Sequence, residues 1–576
     1  MTEFFKFRFG FFLLALCTGL IVGVTTVALI ECIVYLQDFL FARDENTDRI
    51  AWLANKSDWT IFLAPVIGGV VVGLILRQMP EQRFHGIADV MEASAMRAGR
   101  MDVRSGGIVG LATLVSLGSG APLGREGPAV HIGASITGWL AEKLGLDRTQ
   151  SIALLGCASA AAVTASFNTP IAGVLFALEV IVGYYALRVF APVVIAAMGA
   201  VIVRHSVYGN GPEFTIPDYA IESLWELLTF AVLGFVAALV VQLCIFIVII
   251  TQRGWTKTGV PFWIRPTFAG VVIGLVALNY PLILGVGYEG TALALNESLE
   301  IKMIFGLLIA KTVCAAIALG SGFAGGVFSP SLFIGAMLGG GFWFLISFLG
   351  DNLVSNQGVY SVVGMAAIAS AMLGAPISTL LIVFELTIDY DLVIAVMLAS
   401  AMATTSMQLM PYGSFFRWQL SKRGINLNTG RDQSLLRTRT IDDLVSKNYI
   451  EIAPDASLKN VEAAMFAVKV YVAVIINDDK RFIGSLSTND IFSGAADFGR
   501  EEACNTVANA PEHAIPTSTN LLAALQTLNE LDVSYAPVTR VGDERTEVVG
   551  VIYRSDVLSA LYELVREARS EEYGVT

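Results

Sequence analysis

Over the first 410 residues long apolar runs alternate with short polar or glycine-rich breaks, and beyond Gly424 that pattern stops. Phe11 to Leu36 is long enough to cross a bilayer, since about 20 residues suffice. Further runs occupy Ile61 to Leu76, Ser151 to Val182, Val189 to Val203, Leu224 to Ile250, Thr267 to Leu284, Ile304 to Leu319, Ser331 to Leu349, Ser361 to Leu386 and Leu392 to Met410. Ten or more membrane segments follow from this pattern. Several are too short or too rich in glycine for clean spans, which predicts tilted and broken helices whose freed backbone groups line a cavity or pack on protein.

The breaks themselves repeat. Gly118-Ser119-Gly120-Ala121-Pro122-Leu123-Gly124-Arg125-Glu126-Gly127-Pro128 and Gly320-Ser321-Gly322-Phe323-Ala324-Gly325-Gly326-Val327-Phe328-Ser329-Pro330 are nearly the same phrase. The match continues at the same offset, with His131-Ile132-Gly133-Ala134 falling on Phe333-Ile334-Gly335-Ala336. A second matched block pairs Asn168-Thr169-Pro170-Ile171 through Glu179 with Gly374-Ala375-Pro376-Ile377 through Glu385. These blocks define one half at about residues 10–205 and another at about 225–415, separated by the polar break Asn210-Gly211-Pro212. If each half crosses the membrane an odd number of times the halves are inverted, and the two glycine-rich breaks approach each other near the midplane, the usual place of a transporter's binding site.

Composition agrees. Apolar residues make up 55% of the chain and the mean hydropathy is +0.67, against roughly 45–50% apolar in an ordinary soluble protein. Lys6 and Arg8 precede the first run and place that end in the cytoplasm by the positive-inside tendency. The net charge of −12 is uneven: 22 acidic and 11 basic residues follow residue 440, so the acidity belongs to a separate tail and argues against nucleic-acid binding. The cysteines show no paired spacing for a disulfide or metal. No acid cluster, His-rich metal set or nucleophile–base spacing marks the apolar runs, which speaks against an enzyme or a cation carrier.

After a linker at 425–440 the tail reads as two similar α/β units, residues 441–496 and 497–576. In each a helical stretch is followed by strands and a closing helix: Val472 to Ile476 then Ile483 to Ile491, and Ser534 to Thr539 then Val549 to Val557. This order resembles a tandem pair of cystathionine-synthase-type (CBS) domains. The resemblance implies a cytosolic pair able to take ATP or another adenine nucleotide, with Asp556, Ser555 and Asp490 as candidate contacts. The alternative for both aspartates is a helix N-cap.

Gly124-Arg125-Glu126-Gly127-Pro128 with Gly325-Gly326-Val327-Phe328-Ser329-Pro330, on a duplicated membrane region (residues 1–424) followed by a CBS pair, resembles the CLC family of chloride channels and proton-coupled chloride exchangers. The fold expected is an all-α polytopic inverted repeat with broken, tilted helices, followed by the cytosolic α/β pair. A homodimer in the cytoplasmic membrane, moving chloride or a similar anion without a required cofactor, is what the resemblance implies. Physically, each break ends one helix and starts another, whose free amides and positive dipole end attract an anion without a full charge that would hold it too tightly. The resemblance makes the amides of Val327, Phe328 and Arg125 to Gly127 the anion ligands and Glu126 the gating carboxylate, an intramembrane acid of the kind that is costly and usually functional.

Three positions depart from the family pattern. The inward proton-carrying glutamate corresponds to Val180, as in the family's channels, which predicts passive flux, with chloride/proton antiport as the alternative. The anion-facing serine corresponds to His85, whose imidazole could donate to chloride and add a pH-dependent charge; the alternative is a capping or interfacial His packed near a helix start. The late tyrosine corresponds to Phe416, a candidate apolar constriction.

Overall fold

Glycine and proline divide the membrane region into helices of unequal length. In the computed structural model, which describes residues 2–41, 58–79, 83–184, 187–349 except 215, 218, 220 and 222, 354–387, 391–425, 440–477, 481–509, 514–540 and 547–573, the first half runs α1 (Thr2–Phe41), α2 (Asp58–Leu76), α3 (Ile87–Met96), α4 (Val103–Gly118), α5 (Glu126–Lys143), α6 (Arg148–Phe167), α7 (Pro170–Phe176) and α8 (Leu187–Tyr208). The second half runs α9 (Glu226–Thr258), α10 (Arg265–Ala277), α11 (Tyr288–Leu295), α12 (Ile301–Ser321), α13 (Phe328–Ile346), α14 (Gln357–Leu373), α15 (Pro376–Thr387) and α16 (Val393–Leu409), with α17 (Phe415–Lys422) closing the region. Among the described residues seven helices are long and apolar enough to cross a membrane, and six further apolar helices are shorter. Helix α7 continues as a π-helical turn, Ala177–Val182.

Contacts between the halves are reciprocal. Glu179, in the π turn, accepts hydrogen bonds from the amides of Ile377 and Ser378 at the start of α15 (3.3 and 2.8 Å). Glu385, in α15, accepts from Ile171 and Ala172 at the start of α7 (3.1 and 2.7 Å). Each carboxylate thus neutralises the positive end of the helix that carries the other, the architectural role that their matched positions suggest. Helices α2 and α10 cross through glycines in the same mutual way: a Cβ added at Gly69 would stand 2.5 Å from the Pro266 carbonyl oxygen, and one at Gly274 would stand 2.5 Å from that of Phe62. Small residues let backbones meet where lipid supplies no hydrophobic drive between helices. These exchanges express a pseudo-two-fold relation between inverted halves.

The chain divides into two units, Met1–Asn426 and Leu427–Thr576. Positions 426–439 of the expected linker lie outside the described residues. In the second unit β1 (Ile450–Ile452), α18 (Leu458–Val468), β2 (Val472–Ile476), β3 (Phe482–Ser487) and α19 (Thr488–Asp497) precede β4 (Ile515–Pro516), α20 (Leu521–Glu530), β5 (Tyr535–Thr539), β6 (Val548–Tyr553) and α21 (Arg554–Tyr573). Each half forms a three-stranded sheet, β1-β2-β3 and β4-β5-β6, with its first pair parallel and its second antiparallel. Leading segments are exchanged: Ser446 pairs with Val551 of the second sheet, and Asn509 pairs with Ser485 of the first. Ile441 accordingly packs in the core formed by Ile515, Leu521 and Ile552. A cluster of Val472, Val474, Tyr535 and Val551 joins the two sheets.

Candidate functional site

The duplicated breaks meet. Each turns at a glycine with positive φ, Gly120 at +95° and Gly322 at +91°, a backbone that side-chain-bearing residues rarely adopt. Beyond the turns Gly124 and Gly326 pair as an antiparallel bridge, with N–H to carbonyl distances of 2.8 Å (Gly124 to Gly326) and 2.6 Å (Gly326 to Gly124). The bridge brings the N-termini of α5 and α13 side by side. Their first amides have no acceptor within their own helices, so two positive dipole ends converge on one place.

Glu126 and Phe328 are the first residues of these helices. Glu126 is 1% exposed. Its carboxylate accepts a short hydrogen bond from the Ser329 hydroxyl and a longer one, 3.4 Å, from Tyr288 of α11. Phe328 packs on Phe167, ring centroids 4.8 Å apart.

Two cavities flank this point. One, of about 100 Å³, is lined by Gly120, Arg125, Gly285, Tyr288 and Glu289 among others. The other, of about 400 Å³, is lined by Phe84, Gly86, Ile87, Gly127, Gly326, Val327 and Phe416, and by the basic residues Arg83, Arg265, Lys422 and Arg423. Glu126 lies between them, beside Arg125 and Tyr288 of the first and Gly127 of the second. Phe416, 4% exposed, stands at the start of α17, and with Phe84 it lines the larger cavity.

The Arg125 guanidinium is engaged by protein groups. The group stacks over the Tyr288 ring at 5.1 Å, donates to the Ser166 carbonyl (3.3 Å) and lies 3.9 Å from Glu213. Its contribution to the break is the backbone at the helix start, where it is the N-cap. Val180 is buried in the π turn, 7% exposed.

His85 lies in the approach to α3. Gly86 is the N-cap of α3 and its amide donates to Asp89 (2.8 Å). Phe84 lines the cavity, and the His85 ring lies edge-on to His131 of α5 at 5.7 Å between centroids. Asp490 is likewise engaged locally. Its carboxylate accepts from the Ser487 amide and hydroxyl (both 2.7 Å) and from the Asn509 side chain (3.1 Å), closing a capping box at the start of α19. Asp556, in the first turn of α21, accepts from the exposed Ser555 hydroxyl (3.2 Å).

Tyr288 and Ser329 were not singled out by the sequence. Ser329 was within reach, because it occupies in the second break the place of Gly127 in the first. Tyr288 was not, because its short helix lies outside both repeated blocks.

The chain matches the family model "Voltage gated chloride channel" over residues 68–408 and "CBS domain" over residues 441–497 and 505–563. It is 30% identical over 391 residues to a putative chloride channel protein ClcB-like of Ralstonia nicotianae, covering 66% of this chain and 89% of that one. It is 26% identical over 619 residues to chloride channel protein CLC-e of Arabidopsis thaliana, covering 94% and 86%. Among solved structures it is similar to a slow cyanobacterial Cl−/H+ antiporter (TM-score 0.64, 18% identity, 72% of this chain and 97% of that one). It is also similar to a eukaryotic CLC transporter (TM-score 0.61, 19% identity, 96% and 98%). A CLC-type fluoride/proton antiporter shares the fold as well (TM-score 0.60, 19% identity, 71% and 97%).

Proposed function

This chain belongs to the voltage-gated chloride channel family of multi-pass membrane proteins, and from that premise we propose that it is a passive chloride channel, gated by Glu126 and regulated by its CBS pair. The observation that most supports a gate is the buried Glu126 carboxylate at the start of α5, held by Ser329 and Tyr288 between two cavities. Chloride enters the larger cavity, drawn by Arg83, Arg265, Lys422 and Arg423, and exchanges part of its water for the amides of Gly127 and of the Val327–Phe328 helix start. Further passage needs the place held by the Glu126 carboxylate. A negative oxygen there competes with chloride; a protonated or displaced one does not.

Passive flux is supported by Val180, a buried hydrocarbon where proton-coupled relatives carry an acid. Proteoliposomes under a chloride gradient test it: chloride moves without proton transfer, and uphill proton movement would count for exchange instead. That second reading draws on the antiporter names of two proteins with this fold.

The face at which α17 ends is taken as cytoplasmic, with the amino terminus and the CBS pair on the same side of the cytoplasmic membrane. Two subunits, each with its own pathway, form the working unit. For an adenine nucleotide at the CBS pair the residues fit unequally. Asp490 already serves its own helix, so Asp556 and Ser555 are the groups to hold ribose hydroxyls, a hydrogen-bonding role suited to a carboxylate.

A further inference from the structure

The molecule holds a buried titratable pair that this gating scheme does not use. His131 is fully buried on α5, and neither of its ring nitrogens has a hydrogen-bond partner among the described residues. It follows Glu126 by five residues, about 7.5 Å along the helix axis. It also lies one turn beyond Gly127 and so shares that residue's face of the helix. That face looks onto α3, where the Ile87 side chain would meet a Cβ placed on Gly127 at 3.8 Å.

We propose that His131, reached through His85, is a proton-binding site beneath the gate, through which cytoplasmic protons control anion passage without an acid at the position of Val180. The proposal deepens the gate reading and rests on it. His85 stands 5.7 Å from His131 between ring centroids, and its chain neighbours Phe84 and Gly86 both line the cytoplasmic cavity. Among the described residues, the charged or titratable groups that act on His131 are Asp89, His85 and Arg83, all from α3 and its approach. Asp89 is in turn bridged by Arg83 (2.7 Å) and by Arg423 at the end of α17 (3.1 Å). On its own helix the nearest acid is Glu126. The proton comes from water in the cavity and returns to it, so no other reactant is needed.

The second half places an amine beside the equivalent position. The repeat sets His131 against Phe333, and the Lys311 ammonium lies 5.0 Å from the Phe333 ring centroid. Lys311 is fully buried and donates to the carbonyls of Ile283 and Gly285, both at 2.7 Å. One half therefore sets a lysine amine beside its helix, and the other a ring that gains a charge on protonation. On the Gly127 face a protonated His131 adds to the dipole end of α5 and draws chloride in from the cytoplasmic cavity.

Planar bilayers holding the full-length protein, with pH set separately on each side, test this. The parent's chloride current is expected to rise several-fold as the cytoplasmic side is made more acidic. His131→Gln is expected to flatten that response, and His131→Lys to hold the current high at every cytoplasmic pH. His85→Gln, at a partly exposed position, is expected to weaken the response and serves if the His131 variants do not assemble. A cytoplasmic pH profile that is absent in the parent, or unchanged in either glutamine variant, overturns the proposal. Glu126→Gln separates the two readings: it is expected to lose the response to pH on the opposite side while keeping the cytoplasmic one, and failure of the first sinks the gate alone.

Discussion

Ser329, the second residue of α13, donates its hydroxyl to the carboxylate of Glu126, the first residue of α5. The acid supplied by one half of the repeat is therefore held by the other half. A hydrogen bond to a charged group contributes about 1.5–3 kcal/mol, and each 1.4 kcal/mol is about tenfold in an equilibrium. Ser329→Ala is expected to raise chloride flux at neutral pH by about tenfold, by releasing the carboxylate. Flux measured in the Glu126→Gln background is the control, because there the second substitution should add nothing.

Glu126→Gln keeps the size of the side chain and its capacity to accept from Ser329 but cannot carry charge. In the parent, acidification on the side of the smaller cavity neutralises the competitor for chloride, so flux rises as pH falls. In the variant flux should be high and flat with respect to pH on that side. An unchanged pH response in single-sided flux assays would remove Glu126 from the gate.

The crossing of α2 and α10 depends on the absence of side chains at Gly69 and Gly274, where a Cβ would stand 2.5 Å from a backbone oxygen of the facing helix. Backbone cannot step aside as a flexible side chain can. Each Gly→Ala change is expected to destabilise by about 1–3 kcal/mol, the range for overpacking. Thermal unfolding in detergent reads this, with flux per folded molecule largely kept because neither glycine lines the cavities.

Tyr535 connects the two halves of the tail. Its hydroxyl lies 3.2 Å from that of Ser485 and 3.3 Å from the Asn509 amide. Burial, opposed by those hydrogen bonds and assisted by the charge of Asp490, pushes the phenol up to about 12. The folded state then binds the proton more tightly than the unfolded state, where a tyrosine titrates near 10. The resulting stability is complete below about pH 10 and is lost as pH rises toward 12. Limited proteolysis of the tail across that window should show progressive loosening, and Tyr535→Phe should lessen its pH dependence.

Much of this arrangement was legible in the chain. The meeting of Gly124 with Gly326 followed from the repeat, because two equivalent breaks in inverted halves have to face each other. The exchange between Glu179 and Glu385 was legible as matched positions, though not as bonds. What stayed hidden depended on direction. The His85 ring lies edge-on to His131 of α5, and residue type does not encode that. Tyr288 reaches the gate from a helix outside the repeats. In the tail, local strand pattern cannot say which sheet a leading segment joins, so the pairing of Ser446 with Val551 had no signal.

The two tail aspartates should separate under substitution. Asp490 closes a capping box, and Asp490→Ala leaves the Ser487 amide without its acceptor, at a cost of about 1 kcal/mol; it should lower the tail's melting temperature whether or not ATP is present. Among the described residues Asp556 accepts a hydrogen bond from the neighbouring Ser555 hydroxyl alone, so Asp556→Ala should barely change the melting of the protein alone while abolishing any upward shift on adding ATP. Thermal melts of the full-length parent and both variants, with and without ATP, decide this. If ATP leaves the parent's melting temperature unmoved, nucleotide binding at Asp556 is ruled out, and its carboxylate then serves only the start of α21.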